Sequence, residues 1–167
     1  VTEVEKVILD PEVLAAKLDT MRQEGKCIVS TNGVFDVLHV GHVRYLQAAR
    51  KLGNILVVGV NTDAGTRRLK GPLRPIVPEA QRAELLAALQ CVDFVTLFDE
   101  PTPEKLLEKI KPDIHTKGGD YDPAALPETA VVVRNGGEVV TLPFVADHST
   151  TDLIARIQTA NGPSKEP

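Results

Sequence analysis

A chain of 167 residues, 43% hydrophobic and 25% charged, can form one globular domain with a real core and no need of disulfides or metal. Its net charge of −4 and its 4% of aromatic residues, with no Trp, supply neither a basic field nor stacking platforms for nucleic acid. Val1 to Lys6 is polar and acidic, unlike a signal peptide, and no apolar run reaches membrane-spanning length, so the cytoplasm is the expected compartment and no membrane partner is expected.

In chain order, Asp10-Pro11 reads as an N-cap and first-turn proline, opening a helix with Leu14, Leu18 and Met21 on one face and an end near Gly25. Cys27 to Ser30 reads as a short buried strand. A helix with Val43, Leu46, Ala49 and Leu52 on one face follows a segment holding a glycine and two histidines. Ile55 to Val60 is almost continuously apolar, as in a strand covered on both faces. Lys70 to Pro75, rich in Gly and Pro, predicts a loop, and Pro78 to about Leu89 a helix. Val92 to Leu97 is the third strand. Pro103 starts another helix, and Pro112 precedes a short strand through Ile114. A helix ending near Asn135-Gly136-Gly137 leads to a fifth strand, Glu138 to Leu142. Ser149-Thr150-Thr151-Asp152 has the capping-box pattern before Leu153, Ile154 and Ile157.

Strands alternating with helices predict an α/β fold, a doubly wound parallel sheet of five strands with right-handed crossovers. With no internal repeat and no linker, the expectation is one domain over residues 1–161, its first 25 residues a helical extension, and a frayed tail over 162–167. Cys27 and Cys91 stand far apart in apolar runs and read as reduced, buried thiols.

Ligands of open α/β sheets bind beyond the carboxyl ends of the strands. Polar segments fall at such ends at Thr31 to His42, Lys117 to Tyr121 and Asp147 to Thr151. In the first, Gly33 permits a tight turn and Gly41 removes a side chain where backbone approaches a ligand. His39 and His42, three apart at a helix start, face the same way, beside backbone N–H groups that attract phosphate. Zinc is the competing reading, with His115 or His148 as a third ligand, but no cysteine or Glu-x-x-His pattern supports it. His115 otherwise reads as a strand residue with no chemical role.

Thr31 to His42 resembles the first signature of the cytidylyltransferase-like nucleotidyltransferases, with its His-x-Gly-His turn, and Ser149-Thr150-Thr151 resembles their second. From Gly25 to Ile157 the resemblance extends to Asn32-Gly33-Val34-Phe35-Asp36, Val60-Asn61-Thr62-Asp63, Arg68-Leu69-Lys70-Gly71, Arg74-Pro75 and Lys117-Gly118-Gly119-Asp120-Tyr121. Together these are similar to the heptose 1-phosphate adenylyltransferases, often the second half of a bifunctional kinase–adenylyltransferase. The 167 residues hold no sugar-kinase domain, so the likeness is to the stand-alone form. Val34 stands where that family often has Cys, and His115 where it has an aliphatic residue.

The resemblance implies a Rossmann-like fold of the His-x-Gly-His nucleotidyltransferase type. It also implies attack by an acceptor phosphate on the α-phosphorus of ATP, with magnesium as the triphosphate's counter-ion. His39, His42, Lys70 and Lys117 are the implied catalytic groups, with Lys70 on a mobile loop. Thr31, Asn32, Gly33, Phe35, Gly41, Asn61, Asp63, Arg82, Gly118, Asp120, Ser149, Thr150 and Thr151 are implied to hold the nucleotide. Asp36, Lys70 and Tyr121 are implied to meet the sugar phosphate, with capping of the turn as the other role open to Asp36. A homodimer is the implied assembly. The nearest rival is a glycerol 3-phosphate cytidylyltransferase. The rival from another class is a non-catalytic nucleotide-binding module.

Overall fold

The apolar runs become strands and the amphipathic stretches between them become their crossovers. In a computed structural model, which describes residues 3–120, 122–143 and 149–160, the strands are β1 (Ile28–Gly33), β2 (Ile55–Asn61), β3 (Phe94–Phe98), β4 (Ile114–Gly118) and β5 (Glu138–Leu142). All pair in parallel in the order β3-β2-β1-β4-β5, the Rossmann-like sheet expected. The helices are α1 (Pro11–Gln23), α2 (Val40–Arg50), α3 (Asp63–Lys70), α4 (Glu79–Ala87), α5 (Glu104–Ile110), α6 (Thr129–Arg134) and α7 (Thr150–Ala160).

Side chains alternate across a strand, so β2 serves two cores. Leu56, Val58 and Val60 meet Leu46 of α2 and Leu86 of α4 on one face. Val57 meets Leu107 and Ile110 of α5 and Leu14 and Leu18 of α1 on the other. Helix α1 is therefore part of the core rather than an appendage. Asp10 caps its start, its carboxylate accepting from the Glu12 N–H at 2.9 Å. Near its end, the Arg22 guanidinium donates to the carbonyls of Ile110 and Lys111 where α5 stops.

Several expectations shift. Helix α3 lies where no helix was expected, and Lys70 is its last residue rather than part of the following loop. Strand β4 begins at Ile114, where a strand was expected to end. Leu52 lies beyond α2 and is exposed, and both cysteines are half-buried rather than core thiols. Tyr121, Asp147, His148 and the expected tail at 162–167 lie outside the described residues.

The strand order reverses between β1 and β4. That is where a crevice opens beyond the carboxyl ends of a doubly wound sheet.

Candidate active site

Beyond Gly33 the chain turns sharply, though not by the glycine. Gly33 keeps its strand backbone, and an added Cβ would lie 3.1 Å from the Phe35 ring. The turn is made by Phe35 and Val37, with φ of 51° and 53°. Left-handed backbone is unfavourable for an aromatic and more so for a β-branched residue, costing about 1–3 kcal/mol at each. It persists because the surroundings determine it from several sides. The buried Asp36 carboxylate, between the two, accepts from Arg74 Nε at 2.6 Å and from the backbone N–H groups of Ile76 and Val77, each at 2.9 Å. Thr150 Oγ1, in the first turn of α7, donates to the Asp36 carbonyl at 2.9 Å. Arg82, fully buried, donates to the Val34 and Val77 carbonyls and to Asp63 Oδ1.

This changes the reading of three residues. Asp36 reaches inward and ties the 71–78 loop to the turn, the geometry of its capping role. Burial alone would raise its pKa, but the N–H groups of Val77 and Ile76 and the Arg74 guanidinium outweigh it and hold the carboxyl below its usual range. Arg82 is neither a surface ion pair nor open to a ligand; it and Asp63 form a joint beneath the turn.

The turn delivers the two histidines. His39 and His42 stack with ring centroids 3.8 Å apart and planes 25° from parallel, and Phe35 packs edge-on against His42 at 5.5 Å. Their side chains and backbones form a reciprocal capping arrangement at the start of α2, in which His42 Nδ1 accepts from the His39 N–H at 3.3 Å. Burial first, then the charges of His39 and Lys70, push the His42 pKa down to about 4. His42 is therefore neutral at pH 7 and, with Nδ1 accepting, carries its proton on Nε2 as a donor. Lys70, the exposed last residue of α3, acts on His42 through its charge.

Below the histidines lies a polar floor. Thr31 Oγ1 and Tyr45 OH are 2.8 Å apart, Tyr45 donates on to Thr116 Oγ1 at 3.1 Å, and Thr116 donates to the Ser30 carbonyl at 3.2 Å. Thr31 is thus buried in the floor. Asn32 Oδ1 is buried with no hydrogen-bond partner among the described residues, as an atom awaiting a ligand donor would be. Gly41 is buried in the first turn of α2, and Asn61 is buried at the end of β2.

Across the crevice, β4 ends at Lys117-Gly118. Gly119, with φ of 123°, makes a turn that side chains strain to follow and leaves Asp120 exposed. Lys117 Nζ donates to Glu128 Oε1 at 2.8 Å. Ser149, which with Thr150 and Thr151 begins the second polar segment, caps α7, its Oγ accepting from the Asp152 N–H at 3.0 Å. Among the described residues no group of three or more His, Cys, Asp or Glu could hold a metal ion. His115 lies inside β4, bonded through Nδ1 to Ser30 Oγ at 2.8 Å, an arrangement unlike a zinc site.

Sequence reasoning missed Arg74, Tyr45 and Glu128. Arg74 stood inside a recognised motif, whereas Tyr45 and Glu128 carried no local signal.

A cytidylyltransferase-like family model matches residues 30–156. The bifunctional protein HldE of Syntrophotalea carbinolica is 51% identical over 146 residues, 87% of this chain and 30% of that protein. HldE of Cronobacter sakazakii is 51% identical over 150 residues, 90% of this chain and 30% of its own length. The chain thus spans under a third of these curated relatives. The crystal structure of a lipopolysaccharide core biosynthesis protein from Thermoplasma volcanium superposes with a TM-score of 0.60 at 36% identity, covering 72% of this chain and 98% of that one.

Proposed function

The chain belongs to the cytidylyltransferase-like family of nucleotidyltransferases, and from that premise we propose that it transfers AMP from ATP to a sugar 1-phosphate. The best-supported acceptor is D-glycero-D-manno-heptose 1-phosphate, with ADP-heptose and pyrophosphate as products. The stacked His39–His42 pair, at the rim where the strand order reverses, carries the reading of reaction type. Identity of about one half to HldE over most of this chain supports the substrate.

In this reaction an acceptor phosphate oxygen forms a bond to the α-phosphorus while the bond to the β-phosphate oxygen breaks in line. The acceptor is already ionised at neutral pH, so no general base is needed, and catalysis rests on positioning and on stabilising charge. His42 Nε2–H and the His39 ring serve as donors to the α- and β-phosphate oxygens. Lys70 and Lys117 approach from opposite sides of the crevice as cations. Ser149, Thr150 and Thr151 open the α7 N-terminus to phosphate, Asn32 takes a nucleotide donor, and Asp120 a hydroxyl. Magnesium enters with the triphosphate as part of the substrate, held chiefly by phosphate oxygens and water. A cytoplasmic homodimer belongs to the same reading. The family's description favours CTP as the second candidate nucleotide. Product analysis with ATP and CTP in competition on heptose 1-phosphate tests the choice: ADP-heptose is expected, and a cytidylyl product would overturn it.

A further inference from the structure

Beneath the Lys117 side of the crevice lies a buried polar cluster, of which His115 and Glu128 have no use in the transfer described above. His115 and Lys117, two apart on β4, face the same way, and Glu128, at the start of α6, meets both. Its Oε1 takes the Lys117 ammonium at 2.8 Å and lies 4.0 Å from His115 Nε2. Glu128 is 2% exposed and His115 fully buried, whereas the Lys117 side chain keeps 27% of its surface in solvent. His115 Nε2 has no hydrogen-bond partner among the described residues. A buried carboxylate thus rests on one cation that is half free to leave, with a second basic group waiting behind it.

We propose that Glu128 is a positioning residue for Lys117, and that His115 replaces Lys117 as the partner of the Glu128 carboxylate when the lysine turns to an anionic ligand at the rim. The proposal deepens the adenylyltransferase reading and rests on it for the nature of the ligand. A buried carboxylate left without a cation is strongly unfavourable, so departure of Lys117 calls for another positive charge. One proton taken from solvent onto His115 Nδ1, with Nε2–H already on the Glu128 side, supplies it, with no other bond made or broken. Ser30 fits His115 for both states. Its hydroxyl donates to Nδ1 of the neutral ring and, by rotating, accepts from Nδ1–H of the charged one.

The charged groups acting on His115 are Lys117 of its own strand and Glu128 of α6; β1 presents Ser30 to it and β5 Val139. Burial and the Lys117 charge hold the ring neutral, with a pKa of about 4, while Glu128 pulls it upward. Removing Lys117 deletes one of the two opposing effects and leaves Glu128 unbalanced.

Two measurements on the full chain decide the matter. In the ligand-free protein, ¹⁵N-histidine NMR of Lys117→Met should show His115 protonating at a clearly higher pH than in the wild type. An unmoved titration overturns the linkage. For magnesium-ATP, wild-type affinity should weaken as pH rises, by up to about tenfold per unit for one proton. His115→Leu and Glu128→Gln should flatten that slope, and Glu128→Asp should keep part of it. A slope retained in His115→Leu would put the proton elsewhere and overturn the role of His115. Failure of the wild type to bind ATP would instead overturn the adenylyltransferase reading, with the ligand-free titration still deciding whether Lys117 and His115 share Glu128.

Discussion

Asp36 and Glu128 are carboxylates at the same rim, each 2% exposed, yet they are held in different ways. Asp36 accepts from two backbone N–H groups and a guanidinium whose own loop it organises. Glu128 has one lysine ammonium and, at 4.0 Å, an imidazole. For Glu128, as for Asp36, burial would raise the pKa, and Lys117 above all, with Glu128's own backbone N–H and His115 behind it, brings it down. Equal burial therefore does not mean equal role. A carboxylate bound to backbone is a fixed joint that sustains the strained turn at Phe35 and Val37. One bound to a partly exposed lysine is, on the proposal above, a joint that a competing anion opens.

The sharpest way to separate joint from chemistry is to compare Asp36 with the histidines it helps to present. His39→Ala and His42→Ala are each expected to lower turnover by roughly 10²–10³, the scale for one lost transition-state donor, with a stability loss of only about 1 kcal/mol for the lost cap. Asp36→Ala should act first on the fold, losing about 3–5 kcal/mol of stability in urea unfolding because Arg74 is left without its partner. A stable Asp36→Ala protein would break the distinction.

Acid unfolding sharpens it further. The folded pKa of His115, about 4, lies below the ordinary 6.5, so the unfolded chain binds the extra proton between those values. Stability from this residue is full above pH 6.5 and falls as pH drops toward 4, by about 3 kcal/mol for a shift of that size. Asp36, also depressed, contributes fully above the usual carboxylate value and loses its share only as pH falls through its lowered folded value. Unfolding midpoints across pH should therefore show His115→Leu flattening the upper part of the acid limb and Asp36→Asn only the lower part. The smallest effect belongs to the surface. Arg68 and Asp99, about half exposed, form an ion pair whose removal by Arg68→Ala should leave the unfolding midpoint almost unchanged.

Much of this architecture is legible from local pattern. Strand β5 appears at Glu138–Leu142 as read, and α1 starts at the Asp10-Pro11 signal. Helix α3 was invisible because its sequence, DAGTRRLK, offers almost no apolar stripe; its start is set by Thr62, whose side chain accepts from the Gly65 N–H. Strand β4 was cut short because His115, Thr116 and Lys117 look polar, whereas the first two are buried and all three join polar networks. The histidine turn could be seen because its residues are adjacent. The partners of Asp36 lie 38 to 41 residues away, and no periodicity announces them.

The most direct test is magnesium-dependent pyrophosphate release, following ATP and CTP against heptose 1-phosphate and glycerol 3-phosphate, in the wild type and in His39→Ala and His42→Ala. Release that needs both ATP and heptose 1-phosphate, and falls by roughly 10²–10³ in each variant, is the expected result. Undiminished release in both variants would contradict a reaction centre at the histidine turn, and preference for CTP with glycerol 3-phosphate would contradict the substrate.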